Sequence, residues 1–99
     1  MALLIRIKKI KLTNNNTVYF VSSPDFANKE FFIQIFPKTK LIQFYLDNDL
    51  QEFIGEANLK TKEHNISKAI PPALWMHVLI QASKAINSQD FPNDISYCA

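Results

Sequence analysis

Apolar and polar residues alternate with a period of two along most of the stretch from Leu3 to Leu59, then switch to helical spacing from Pro71 onward. Leu3, Ile5 and Ile7 alternate with Leu4, Arg6 and Lys8, which predicts a first strand. The phase slips at Lys8-Lys9, because the next apolar pair is Ile10 and Leu12, and a β-bulge there reconciles the two halves. Thr13-Asn14-Asn15-Asn16-Thr17 predicts a turn, since asparagine tolerates positive φ and hydrogen-bonds its own backbone. Val18 to Val21 then returns as the second strand of a hairpin. Ser22-Ser23-Pro24-Asp25 interrupts the ladder, because Pro24 has no N–H to donate.

A second hairpin follows. Phe31, Ile33 and Ile35 share one face of a strand and Phe32, Gln34 and Phe36 the other. Pro37-Lys38-Thr39-Lys40 turns the chain. Leu41 to Leu46 runs back with Ile42, Phe44 and Leu46 on one side and Leu41, Gln43 and Tyr45 on the other. Asp49 to Leu59 fits two patterns. Leu50, Phe53, Ile54 and Ala57 have helical spacing, with Asp49 and Glu52 placed as a capping box. Phe53, Gly55, Ala57 and Leu59 alternate as a strand, and Gly55 would weaken a helix by about 1 kcal/mol, so the balance tips to a fifth strand. Lys60 to Ser67 is a polar connection. Pro71 or Pro72 can occupy the first helical position, and Leu74, Trp75, Val78, Leu79, Ala82, Ala85 and Ile86 form one apolar stripe. His77, Gln81, Lys84 and Ser88 line the opposite side. Phe91-Pro92 ends the helix, and the tail folds back through Phe91, Ile95 or Tyr97. The expected fold is α+β: a single domain with an antiparallel sheet of four to five strands from consecutive hairpins, and one long C-terminal helix on one face.

Area makes this pattern informative. Five strands about 4.8 Å apart and about 20 Å long present on the order of 480 Å² per face. A helix about 25 Å long and 10 Å wide covers roughly 250 Å². Both phases of the strand from Phe31 to Phe36 carry phenylalanine, so beyond what loops hide, either an apolar patch large enough for an interaction site is left on the sheet or the N-terminal segment and tail curl over it to complete a monomeric core.

Composition narrows the function by exclusion. Gly55 is the only glycine, so no glycine-rich phosphate loop exists. His64, His77 and Cys98 are scattered without paired-ligand spacing, which argues against zinc, and Asp47-Asn48-Asp49 lacks the glycine and distal glutamate of a calcium loop. No spacing brings Ser22 or Ser23 to a histidine base. No enzyme, cofactor or metal is therefore expected. A lone cysteine permits no internal disulfide. Arg6, Lys8 and Lys9 interrupt the apolar start too soon for a signal-peptide core, and no run approaches the roughly 18 apolar residues of a membrane span. The expectation is a soluble, cytoplasmic protein.

The net charge of +2 is small but unevenly spread. Arg6, Lys8, Lys9 and Lys11 open the chain, and Asp47, Asp49, Glu52 and Glu56 cluster at its middle. Basic residues beside Tyr19, Phe32 and Phe36 suggest a base-stacking platform, but no RNA-recognition signature accompanies them, and a protein partner is the stronger reading.

Val21-Ser22-Ser23-Pro24-Asp25-Phe26, the strand from Phe31 to Ile35, the strand from Leu41 to Tyr45 and the closing Asp90-Phe91-Pro92 give the chain a layout of hairpins plus helix. This resembles the small immunity proteins of bacterial contact-dependent growth inhibition systems. The resemblance spans most of the chain and implies tight binding to one cognate toxin domain. The net positive charge departs from the acidic character usual in that group, which shifts weight to the local acidic cluster. Asp47, Asp49, Glu52 and Glu56 are the expected polar contacts, and Tyr45 and Phe53 the expected anchors. A homodimeric or adaptor module is the alternative, followed by a weak RNA binder.

Overall fold

The computed structural model describes residues 4–13, 16–24 and 29–98. Among them, the chain forms β1 (Leu4–Thr13), β2 (Asn16–Ser23), β3 (Lys29–Phe36), β4 (Leu41–Tyr45), β5 (Phe53–Asn58), β6 (His64–Ile66), α1 (Pro72–Ser88) and β7 (Asp94–Cys98). The strands make one antiparallel sheet of seven, in the order β6-β5-β4-β3-β2-β1-β7. The first six strands form a meander in chain order. The helix then carries the chain from the β6 edge to the opposite edge, where β7 pairs with β1.

Two expectations are corrected here. The sheet has seven strands among the described residues, not four to five, and the helix is followed by a strand. The polar connection from Lys60 to Ser67 contains β6, a three-residue strand whose ladder hydrogen bonds need no apolar alternation. The tail after Phe91 is β7, an edge strand that borrows its ladder from Leu4 to Lys8. The ambiguous stretch resolves as strand. The expected turn at Asn14 and Asn15 lies outside the described residues.

The phase slip in β1 is a bulge. The β1–β2 register shifts between Lys9 and Lys11, so Ile10 is the extra residue. Ile5 and Ile7 therefore stay on the helix side while Lys11 joins Val18 on the other.

Helix length follows from sheet width. Six inter-strand spacings amount to about 29 Å, and the 17 residues of α1 span about 25 Å. Leu74, Val78, Ala82, Ala85 and Ile86 are buried beneath it, and the core joins α1 to Ile5, Ile7, Tyr19, Val21, Phe31, Ile33, Ile35, Ile42 and Phe44. Trp75 and Leu79 flank that core, and His77 is half-buried rather than on a fully solvated stripe. Pro72 starts the helix without a side-chain cap. Gln89 ends it in the left-handed region (φ 56°), with the Asp90 N–H donating back to the Ala85 carbonyl at 3.2 Å in a Schellman arrangement. The Tyr19 hydroxyl pins the exit by donating to the Pro92 carbonyl at 2.8 Å.

Gly55 is required where it stands. A Cβ there would sit 2.6 Å from the Ile66 Cα and 2.8 Å from the Asn65 carbonyl oxygen, so the close approach of β6 to β5 leaves no room for a side chain.

A candidate protein-docking face

The face of the sheet away from α1 is assembled row by row from the register. Lys8, Phe20, Phe32, Tyr45 and Phe53 occupy one row across β1 to β5. Lys11, Val18, Gln34, Gln43, Glu56 and Asn65 occupy the next. Aromatic rings thus run through the middle of the face, with cations on the β1 side and a carboxylate on the β5 side. The Phe20 and Phe32 rings lie 5.1 Å apart, and Tyr45 meets Phe53 edge-on at 5.7 Å.

Part of this face is covered by the chain itself. The loop between β4 and β5 leaves the end of β4, yet the Lys11 ammonium on β1 donates to the Asn48 carbonyl at 2.9 Å. With β2 and β3 lying between β1 and β4, that bond requires the loop to lean back across the face. Val18, on the open side, is fully buried, and Gln34 beside it is buried too. The loop thus hides part of the surface that the single helix leaves bare. Within the aromatic row Phe53 stands most open, at 50% exposed.

The loop is internally braced. The Asp47 carboxylate accepts the Glu52 N–H at 2.8 Å and the Gln51 N–H at 2.9 Å, and the Leu46 N–H donates to the Glu52 carbonyl. Those amide donors, Glu52 foremost, hold the Asp47 carboxyl below the usual carboxylate range. Leu50 sits at φ 59°, a left-handed conformation that a leucine avoids unless its surroundings impose it. The Tyr45 hydroxyl donates to the Gln43 side-chain oxygen at 2.6 Å. Its phenol is raised above the ordinary range, by burial first and by the charges of Glu56 and Asp47 second.

Sequence-predicted residues therefore gather at one hairpin. Tyr45 and Phe53 form a ring pair, the charges of Glu56 and Asp47 reach the Tyr45 phenol, and Asp49 and Glu52 stand exposed in or beside the loop. Asp47 differs from the rest in spending its oxygen on the loop's own amides. The Leu46 amide and the left-handed Leu50 complete the brace. Their signal lay in apolar residues flanking an Asp-Asn-Asp turn.

Other candidates separate. Tyr19 is fully buried beneath the helix, which removes it from any stacking platform, while Phe32 pairs with Phe20 on the open face. Asp94 lies across the ladder from Lys8, and Glu30 lies one strand beyond Ser22 from Arg6, so acid is interleaved with base there. The Ser23 hydroxyl donates to the Leu4 carbonyl at 2.6 Å, and the His64 ring lies 4.9 Å from Trp75 at the far edge of the sheet. Ser23 and His64 thus belong to opposite halves of the sheet. Among the described residues, no group of three or more His, Cys, Asp or Glu side chains could hold a metal ion, and no helix is long and apolar enough to cross a membrane.

Comparison with known proteins yields no match to a family model, to a curated protein or to a solved structure.

Proposed function

We propose that this protein is a binding module that neutralises a cognate toxin domain, docking it through the open end of the β4–β5 hairpin. The observation that carries the reading is Phe53: a half-exposed aromatic ring held edge-on against Tyr45. Rigid aromatic anchors of this kind lose little rotamer freedom on binding and dominate interface energy. Asp49, Glu52 and Glu56 surround the anchor with acidic groups suited to steering a basic partner. The braced loop supports the reading as well, because a pre-organised contact surface avoids the entropy of ordering at the moment of binding.

The test is co-expression with the product of the neighbouring open reading frame, which this reading expects to encode the toxic domain. The wild-type chain restores growth and co-purifies with that domain. Phe53→Ala weakens the complex by about 2 kcal/mol or more, roughly thirtyfold. Reversing Asp49, Glu52 and Glu56 to lysine slows association at low salt on the order of tenfold to a hundredfold. Cells that die despite the wild-type chain would refute toxin neutralisation. Full protection by both variants would refute this face.

A further inference from the structure

The two edges of the sheet are finished differently. The β6 edge is three residues long, is flanked by exposed Lys62, Glu63 and Lys68, and is braced by the His64–Trp75 ring contact. Short, charge-flanked edges resist pairing with other chains. The β7 edge is five residues long, and its register with β1 runs from Leu4–Cys98 to Lys8–Asp94 without a shift. Asp94-Ile95-Ser96-Tyr97-Cys98 contains no lysine and no proline, and its one charge is at the first position. Past Asp94, the strand carries no charge, proline or bulge to blunt its edge.

The hydrogen-bond phase of β7 fixes what its free edge offers. The Lys9 N–H donates to the Asn93 carbonyl at 2.8 Å, and the same register makes Ile7–Ile95 and Ile5–Tyr97 the hydrogen-bonded pairs. Ile95 and Tyr97 therefore turn their backbone groups toward β1. Asp94, Ser96 and Cys98 turn theirs outward.

That outward set is self-complementary. An antiparallel copy centred on Ser96 places Ser96 against Ser96 as a hydrogen-bonded pair, and Asp94 against Cys98 on either side, so each outward N–H meets an outward carbonyl. The same centring keeps the two Asp94 carboxylates away from each other, since each faces Cys98 of the copy. We propose that β7 is the seam of a two-fold symmetric homodimer, pairing antiparallel with its own copy about Ser96 to join two sheets into one. The symmetry axis stands normal to the joined sheet, so both helices lie on one side of it. The open faces of both β4–β5 hairpins then look to the other side, toward the outer ends, and present two docking faces in the same direction. The seam stands independently of what those faces bind.

Light scattering on the purified chain and amide exchange along β7, both across a dilution series, test the seam together. The expected result is twice the chain's mass at high concentration, with the Ser96 amide exchanging as slowly as those of Ile95 and Tyr97. On dilution the mass halves and Ser96 exchange accelerates while Ile95 and Tyr97 stay protected by β1. Ser96→Asp puts a carboxylate beside Arg6 in the β1 ladder and two like charges at the symmetry axis, so the variant keeps its circular dichroism and runs as a monomer. A wild-type monomer at every concentration overturns the proposal. So does a dimer whose Ser96 amide exchanges as freely as in the dilute chain.

Discussion

The two faces of the sheet use the same residue types for different ends. Under α1, Phe31, Ile33, Ile35, Ile42 and Phe44 are buried against Leu74, Val78 and Ile86, so each ring and branch finds its cover within the chain. On the other side, Phe20, Phe32, Tyr45 and Phe53 form an aromatic row whose cover grades from near-complete at Tyr45 to half-open at Phe53. An aromatic residue in a strand therefore says little about its role until its phase relative to the helix is known. The covered face makes the protein fold. The open face keeps Phe53 half-exposed, and the proposed docking rests on that ring.

Truncating the two faces in parallel separates those roles most sharply. Phe44→Ala, on the covered side, is expected to cost about 4 kcal/mol of unfolding free energy, from lost burial and the cavity left behind. Phe53→Ala, on the open side, is expected to cost about 1 kcal/mol, mostly the edge-on contact with Tyr45. Urea unfolding of both variants checks the ratio, and equal losses would erase the distinction. Gly55→Ala comes next, at about 3 kcal/mol, because the added methyl meets the β6 backbone and has no flexible neighbour to displace. Its amide-exchange signature is loss of protection confined to His64–Ile66, the edge strand that Gly55 admits.

Tyr19 links the covered face to the β7 side. Burial, assisted by the nearby Asp90 charge, pushes its phenol from 10.0 up to about 12. The folded chain thus holds this proton more tightly than the unfolded chain does. The stabilisation is complete below about pH 10 and is lost as pH rises through about 12. Tyr19→Phe should lower stability at neutral pH by about 1–2 kcal/mol, since the Pro92 carbonyl loses its donor. It should also remove the highest-pH step from the phenol absorbance titration. The smallest effect belongs to the helix terminus. Gln89→Gly relieves a left-handed non-glycine residue and should stabilise by about 0.5 kcal/mol after the entropy of the added glycine is counted, read as a small rise in melting temperature.

Period and phase made much of this architecture legible. The alternation of Phe31 to Phe36 assigned both faces of β3, the slip at Lys8-Lys9 marked the β1 bulge, and the stripe from Leu74 to Ile86 selected the buried side of α1. What periodicity could not supply was pairing. β6 is too short and polar to alternate, and β7 exists as a strand only because Leu4 to Lys8 offers it an edge. The candidate site was legible as residue types: two aromatics and four acids between Tyr45 and Glu56. Its geometry was not, because the fold of the loop over Val18 depends on a bond from Lys11, distant in sequence. Nor could composition show that the Asp47 carboxylate serves the loop's own amides.

A binding footprint bears on the docking account most directly. The helix offers a competing surface, since Met76 and Ile80 stand 53% and 46% exposed on its outer side. Amide exchange of the chain alone and in complex with the purified toxin domain discriminates between them. The account predicts new protection from Tyr45 through Glu56, with Met76 and Ile80 unchanged. Protection centred on Met76 and Ile80, with the β4–β5 hairpin exchanging as in the free chain, would contradict it.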